Sequence, residues 1–354
     1  MEVKARVLII DDSALVRSVL EDMLQKDPEI EVVGIAKDPI QAIPMIKEKK
    51  PNVLTLDLEM PKMDGLTFLK KLMKVIPLPV IIISSRAGDG SEATIKALEL
   101  GAVDFVTKPA VSIGSGLIEM EERIIEKVKS AAEIDRSKLR KLYQQHRKSE
   151  NMQSGTSPAV IKKTDKITVL GASTGGTVAI RSILEALPGN LPPILIVLHM
   201  PAGFTASYAE SLNKVCRMQV KEAVDSEPAR SGYAYVAPGG KHMVLEKVDY
   251  QYYIRLTDAP PYNRHRPSVD VTFQSVAEQA KGDAVGIILT GMGTDGANGL
   301  RSMREQGAFT IAQDEKSSIV FGMPRKAIEI GAACEIVSLS DIPKKILEYN
   351  QVSE

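Results

Sequence analysis

The sequence predicts an α/β protein of two domains, and three observations carry that prediction. Short β-branched runs alternate with amphipathic segments through the first third of the chain. A second series of apolar runs begins at Ile167. Between the two lies a polar stretch with no periodic apolar spacing. Parallel neighbours need a crossover, usually an amphipathic helix, so five βα units in a row favour a parallel sheet covered on both faces. A chain of 354 residues has room for two domains of roughly 100–200 residues each. The expected organisation is a first (βα)5 domain over 1–134, a linker over 135–165, and a second domain over 166–354. The second domain is expected to be α/β, doubly wound and mostly parallel, with an antiparallel hairpin region.

In order, the first-domain strands are "RVLIID", "EVVGIA", "NVLTLDL", "PVIIISS" and "DFVTKP". Each is β-branched and short enough to be a buried strand. "SALVRSVLEDMLQK" and "DGLTFLKKLMKVI" are amphipathic at helical spacing, and Asp12 or Ser13 is a candidate N-cap for the first. A fifth helix is expected over 117–134, with Ile118, Ile124, Ile125, Val128 and Ala131 on one face. The stretch "DRSKLRKLYQQHRKSENMQSGTSPAVIKKTDK" reads as a tether, helical at its start and flexible after Glu150. In the second domain, "KITVLGAS", "PPILIVLHM", "AVGIILTGM" and "FTIAQD" read as strands of a mainly parallel sheet. "YAYVAPG", "KHMVLEKVD" and "QYYIRLTD" lie close together with short turns and read as antiparallel strands joined as hairpins.

Lys+Arg and Asp+Glu stand at 45 each, so the chain has no bulk electrostatic attraction to nucleic acid or an anionic membrane. No helix-turn-helix pattern is visible, which argues against a DNA-binding output. Cys216 and Cys334 form no metal or disulfide spacing and fit a reduced, cytoplasmic protein. No apolar run approaches the ~20 residues of a membrane helix. The opening "MEVKARVLIIDD" runs straight into a strand and does not read as a signal peptide.

Asp11 and Asp12 end the first expected strand, Asp57 the third and Lys108 the fifth. Carboxyl ends of parallel strands share one edge, where ligands bind. Three converging carboxylates repel unless a cation sits among them, and a hard dication such as Mg²⁺ suits oxygen donors. Asp57 is then a nucleophile toward a phosphoryl group, and Lys108 a contact for its oxygens.

The second domain carries a different chemistry. "GASTG" fits G-x-S-x-G, follows a strand-like run and precedes a helix-like one, so Ser173 is expected on a tight strand-to-helix turn. The glycine spacing fits neither a P-loop nor G-x-G-x-x-G. Of the four histidines, His146 lies in the linker, His242 at a hairpin strand, and His265 in the loop "PPYNRHRPS". His199 ends "ILIVLH", on the same edge as Ser173, and is the candidate base. Asp295 in "GIILTGMGTDGANG" is the candidate carboxylate, with Asp314 as runner-up. The glycines around Met292 suit an oxyanion hole, with the N–H groups of Met292 and Thr174 as donors. The order Ser, His, Asp differs from the Ser, Asp, His of α/β-hydrolases.

Segment 1–130 resembles the receiver domain of bacterial response regulators, a flavodoxin-like fold. The resemblance implies phosphorylation of Asp57, an acidic pair Asp11 and Asp12, Ser84 at the hydroxyl position, Lys108 before a proline, Phe105 at the aromatic switch position, and Mg²⁺ held by Asp12 and Asp57. Beyond Ser173, His199 and Asp295, the segments "LHMPAGFTASYAESLN", "YVAPGGKHM", "RPSVDVTFQSVAE", "ILTGMGTDGANGL" and "SIVFGMPRKAIEIGA" occur in order. With the receiver, they resemble the chemotaxis protein-glutamate methylesterases, the CheB family, over essentially the whole chain. The resemblance implies hydrolysis of glutamyl methyl esters on methyl-accepting chemotaxis receptors and deamidation of receptor glutamines. It implies a chemotaxis histidine kinase as phosphodonor, no cofactor in the catalytic domain, no nucleic-acid partner, no membrane insertion and a monomer. A receiver joined to a non-catalytic binding output is the alternative.

Overall fold

The computed structural model describes residues 4–61, 63–84, 89–108, 116–140 and 166–350. The chain forms two compact units, Met1–Gln153 and Ser154–Glu354. Of the expected linker, 141–165 lies outside the described residues. Its start, 136–140, is helical and belongs to the first unit: Leu139 is buried, and Arg136 donates to the carbonyl of Pro51 at 2.8 Å.

The first unit alternates β1 (Ala5–Ile10), α1 (Ala14–Leu24), β2 (Ile30–Ala36), α2 (Pro39–Lys49), β3 (Val53–Asp57), α3 (Gly65–Val75), β4 (Val80–Ser84), α4 (Asp89–Glu99), β5 (Asp104–Thr107) and α5 (Gly116–Ala132). The sheet is parallel in the order β2-β1-β3-β4-β5. Short polar side chains start the helices, each accepting from a backbone N–H that has no intrahelical partner. Ser13 accepts from Val16, Asp38 from Gln41 and Asp64 from Thr67. Of the two candidate caps for α1, Ser13 fills the role. β3 and β4 are buried throughout, whereas β2, at the sheet edge, is half-buried over most of its length. On α5, Ile124, Val128 and Ala131 are buried and Ile125 is half-buried; the side chain of Ile118 is outside the described set. Burying Phe68, Leu69, Leu72 and Met73 of α3 contributes roughly 1.5–3 kcal/mol each.

The second unit contains β6 (Ile167–Ala172), α6 (Gly176–Ala186), β7 (Ile194–Leu198), α7 (Thr205–Asn213), β8 (Gln219–Glu222), β9 (Glu227–Pro228), β10 (Tyr233–Val236), β11 (His242–Val248) and β12 (Gln251–Thr257). It continues with α8 (Val269–Ala280), β13 (Ala284–Ile288), α9 (Ala297–Glu305), β14 (Phe309–Gln313), α10 (Met323–Glu329), β15 (Glu335–Val337) and α11 (Ile342–Asn350). Seven strands form a parallel sheet in the order β15-β14-β13-β6-β7-β10-β8. From β6 the chain first builds outward through β7, then later builds the other side from β13. Such a reversal leaves a crevice at the carboxyl ends of the strands, where open α/β sheets bind ligands.

One expectation is corrected. "YAYVAPG" is not a hairpin strand: β10 runs parallel between β7 and β8. Ala234, Tyr235 and Val236 are all buried, and burial on both faces suits an interior strand of a parallel sheet. β11 and β12 do form the expected antiparallel hairpin, closed by a turn in which Asp249 has φ +53°, and β9 adds to β12. The free edge of β11 is closed by α8. Thr272 donates to the carbonyl of Met243, while Ser275 and Gln279 accept from the N–H groups of Leu245 and Lys247. Residues 272, 275 and 279 share one helix face, so a polar stripe stands in for a neighbouring strand.

Candidate functional sites

In the first unit, the strand ends bring Asp11, Asp12, Asp57 and Lys108 together. Oxygens of the three carboxylates lie within 4.8 Å of one another. Lys108 Nζ donates to Asp57 Oδ2 at 2.7 Å and stands 3.4 Å from Asp11 Oδ2. Asp11 Oδ1 accepts from the Ser13 N–H, and Asp57 Oδ1 from the Glu59 N–H. Asp11 Oδ2 is buried with no hydrogen-bond partner. Burial pushes the Asp11 and Asp57 carboxyls above the usual range, against the pull of the Ser13 N–H and Lys108. Burial also opposes the Lys108 charge, but the hydrogen bond and attraction of Asp57 outweigh it and hold the ammonium above its ordinary range. An all-oxygen cluster whose buried Asp11 Oδ2 has the Lys108 ammonium at 3.4 Å but no hydrogen-bond partner fits a hard dication. Ser84 is buried at the end of β4, its hydroxyl 2.6 Å from that of Thr94, and Phe105 is buried in β5.

Gly65 sets how closely α3 approaches this pocket. A Cβ there would lie 2.4 Å from the Asp57 carbonyl oxygen and 2.7 Å from Leu58 Cα. Gly65→Ala must therefore shift either the start of α3 or the backbone that carries Asp57, and both change the spacing of the pocket. The expected result is at least a tenfold slower uptake of phosphoryl from a small donor, read by phosphate-affinity electrophoresis, with methanol release by the unphosphorylated protein unchanged.

In the second unit, Ser173 and His199 follow Ala172 and Leu198, which are register partners on β6 and β7. The ladders run on past both strand ends: Ser173 N–H donates to the Thr290 carbonyl at 3.1 Å, and His199 N–H to that of Ala172 at 3.3 Å. Asp295 lies in the loop between β13 and α9, and its Oδ2 is 2.8 Å from His199 Nε2. The side chains of His199 and Asp295 are nearly fully buried, at 6% and 2% exposed. An ionised carboxylate only accepts, so Nε2 carries the proton and the Nδ1 lone pair is left for a substrate-side proton. Nδ1 is buried without a hydrogen-bond partner. The structure thus joins His199 to Asp295 and does not join His199 to Ser173 by a hydrogen bond. Asp314, the runner-up, instead accepts from Ser317 at the end of β14.

Asp295 collects five donors. Oδ2 takes the Val269 N–H as well as His199, while Oδ1 takes Ser268 Oγ at 2.7 Å, Asn263 Nδ2 at 3.0 Å and the Asp270 N–H at 3.4 Å. Burial alone would raise its pKa, but the hydrogen bonds from His199, Ser268 and Asn263 and the attraction of His199 win and hold it far below the usual carboxylate range. Asn263 also donates to Asp270, whose Oδ1 accepts from the Gly299 N–H in the first turn of α9. Burial pushes the Asp270 carboxyl up, with Asp295 adding to the rise. The ring of His265 stacks on that of His199, centroids 3.6 Å apart and 6° from parallel. Asn263, His265, Ser268 and the Val269 N–H were not singled out as site residues from the sequence. Only Ser268 carried a local signal, as a serine just before an apolar-periodic segment; it is the N-cap of α8.

Among the expected oxyanion donors, Thr174 is buried, and its carbonyl accepts from Thr290 Oγ1 at 3.0 Å. The Gly291 carbonyl accepts from the N–H groups of Gly322 and Met323 at 3.0 and 2.9 Å. In a trans peptide the N–H of Met292 points opposite to that carbonyl. A Cβ on Gly291 would lie 2.3 Å from Met323 Sδ and 2.9 Å from Ser173 Cβ. Gly291→Val is therefore expected to displace Ser173 and lower ester turnover by about 10²-fold, the size of effect a 1 Å misplacement produces; steady-state kinetics on the full-length chain checks this. Burial pushes the Cys216 thiol up to about 12, which removes it as a rival nucleophile. Among the described residues, no helix is long and apolar enough to cross a membrane.

Residues 168–346 match the family model described as CheB methylesterase, and residues 7–113 match that of the response regulator receiver domain. A protein from Chromohalobacter salexigens is 50% identical over 350 residues, covering 99% of this chain and 97% of that protein. One from Escherichia coli K12 is 49% identical over 349 residues, covering 97% and 96%. Both carry the name protein-glutamate methylesterase/protein-glutamine glutaminase. The crystal structure of the Thermotoga maritima CheB methylesterase catalytic domain matches with a TM-score of 0.51 at 40% identity, over 52% of this chain and 99% of that one. With a receiver fold ahead of a mostly parallel α/β unit that carries the His199–Asp295 pair beside Ser173, and with whole-length relatives at about half identity, the chain belongs to the CheB methylesterase family.

Proposed function

We propose that this protein is a phosphorylation-activated protein-glutamate methylesterase and protein-glutamine glutaminase, acting on chemotaxis receptors in the cytoplasm. The His199–Asp295 pair at the strand edge beside Ser173 carries the reading. Ser173 Oγ attacks the carbonyl carbon of a glutamyl methyl ester, and His199 Nδ1 takes its proton. Asp295 stabilises the imidazolium through Nε2–H. The N–H groups of Met292 and Thr174 face the developing oxyanion. As the tetrahedral intermediate collapses, His199 returns the proton to the methanol oxygen. A water molecule then loses a proton to His199 and attacks the acyl-enzyme carbonyl, and His199 returns that proton to the departing Ser173 Oγ, leaving glutamate and free Ser173. A glutamine side chain follows the same route more slowly, because its nitrogen, a far poorer leaving group than the ester oxygen, must take the proton from His199 before the C–N bond breaks and ammonia leaves.

In the receiver, Asp57 takes a phosphoryl group from a histidine kinase or a small donor, and Lys108 contacts the transferred oxygens. Asp11, Asp12 and Asp57 would hold Mg²⁺, which supplies neutralising charge during transfer. Protons compete with the metal for these oxygens. Because burial raises Asp11 and Asp57, the competition starts above the ~3.9 of an ordinary aspartate. Mg²⁺ affinity is therefore expected to fall as pH is lowered from neutrality, and to begin falling above the range of an ordinary aspartate, by isothermal titration calorimetry; a pH-independent affinity contradicts the assignment. Methanol release from methylated receptor membranes, with glutamate at the cleaved sites by mass spectrometry, tests the enzyme reading. Absence of both products overturns it.

A further inference from the structure

His242 is almost fully buried, at 1% exposed, and takes no part in the proposed reaction. Its two ring nitrogens reach opposite ends of one loop. Nε2 lies 3.1 Å from the carbonyl of Pro260, and Nδ1 accepts from the N–H of Ser268 at 3.2 Å. The partners fix the tautomer, since a carbonyl only accepts and a backbone N–H only donates. His242 must be neutral with its proton on Nε2.

The loop between those two points holds most of what surrounds the base. Asn263 donates to Asp295, and the ring of His265 covers one face of His199. Ser268 Oγ and the Val269 N–H close on the two oxygens of Asp295. The loop is not relaxed by itself: Asn263 and Arg264 are both left-handed, at φ +51° and +64°, in a tight turn where Tyr262 and His265 exchange backbone hydrogen bonds. Arginine in that conformation is disfavoured, so the turn depends on surrounding contacts. His242 itself stands on a fixed strand, paired with Thr257 of β12. At the next residue, the Met243 carbonyl is bonded to Thr272 of α8.

We propose that His242 is a positioning residue for the base: a two-point clamp that spans residues 260–268 and thereby sets His265 against His199 and Ser268 and Asn263 on Asp295. The proposal rests on the esterase reading only for its kinetic readout.

The chain has four histidines, so ¹⁵N-histidine labelling of the full-length protein gives a short list of imidazole signals. The proton on His199 Nε2, bonded to buried Asp295, is expected as a low-field, exchange-protected resonance. Three variants separate the clamp from simple packing. His242→Phe keeps bulk and loses both bonds. His242→Asn keeps an acceptor near the Nδ1 position for Ser268, and His242→Gln keeps a donor near the Nε2 position for Pro260. The expected result is loss of the His199 resonance and about a 10²-fold fall in kcat at unchanged KM for Phe, with a smaller fall for Asn and Gln. A wild-type resonance and kcat in the folded Phe variant overturn the proposal. If the Phe variant does not fold, a wild-type resonance in both the Asn and the Gln variants overturns it. Should the wild-type protein release no methanol, the resonance still decides the clamp, and the esterase reading alone fails.

Discussion

Ser173→Ala is expected to lower kcat for methanol release by about 10⁶-fold, the loss seen when a serine hydrolase is deprived of its nucleophile. The substitution removes one oxygen from a turn held by its backbone. Ser173 N–H donates to Thr290 and its carbonyl accepts from the Gly176 N–H at 2.7 Å, and alanine keeps both bonds. The fold and receptor binding should therefore be unchanged, so the loss falls on kcat and not on KM. Any residual rate reflects the oxyanion donors and substrate positioning. Turnover within tenfold of wild type contradicts the role given to Ser173.

Asp295→Asn is expected to lower kcat by about 10⁴-fold, through the tautomer of the base. The aspartate accepts on both oxygens, and among its donors the backbone N–H of Val269 cannot turn away. An asparagine offers one acceptor and one NH₂, so a buried N–H must face another donor. If the NH₂ meets His199, the imidazole relieves the clash by moving its proton to Nδ1. That nitrogen then can no longer accept a proton from Ser173. If the NH₂ faces Ser268 and Asn263, the Ser268 hydroxyl can turn to accept from it, but the Asn263 NH₂ cannot, and the frustrated buried donor costs roughly 1–3 kcal/mol. Stability carries its own signature. The folded pKa of Asp295 lies below its unfolded value, so its contribution is fully present above the ordinary ~3.9 and is lost as pH falls through the folded pKa. Acid unfolding of wild type and Asp295→Asn, followed by circular dichroism, should converge as pH drops through that range. Asp270, with a raised pKa, works in the opposite sense: its contribution is largest below the unfolded pKa and is lost as pH rises through the folded one.

The strands that carry chemistry were legible because each is a short buried run ended by a polar residue. The rule that ligands meet the carboxyl edge of a parallel sheet placed Asp57 and His199 at strand ends, and the G-x-S-x-G pattern placed Ser173 on the turn after its strand. β10 was misread because turn residues flank it closely, whereas its pairing follows from burial of both its faces, a long-range property. The short strands β8, β9 and β15 are too brief to show a period. The support of Asp295 was equally hidden. Asn263 lies 32 residues from it in sequence and reaches it from a loop with no periodic signal. The contact of Nε2 with Asp295, which leaves Nδ1 as the nitrogen proposed to serve Ser173, depends on ring orientation and is not written in any motif. This is the reverse of the nitrogen usage in the common Ser-His-Asp template.

The measurement that bears most directly on this account is methanol release from methylated chemoreceptor membranes by the full-length chain, with Mg²⁺ and with or without a small phosphodonor, alongside Asp57→Asn. The account predicts release that rises with the donor in the wild type and stays at the basal rate in Asp57→Asn. Release that is indifferent to the donor, or equally stimulated in Asp57→Asn, would contradict it.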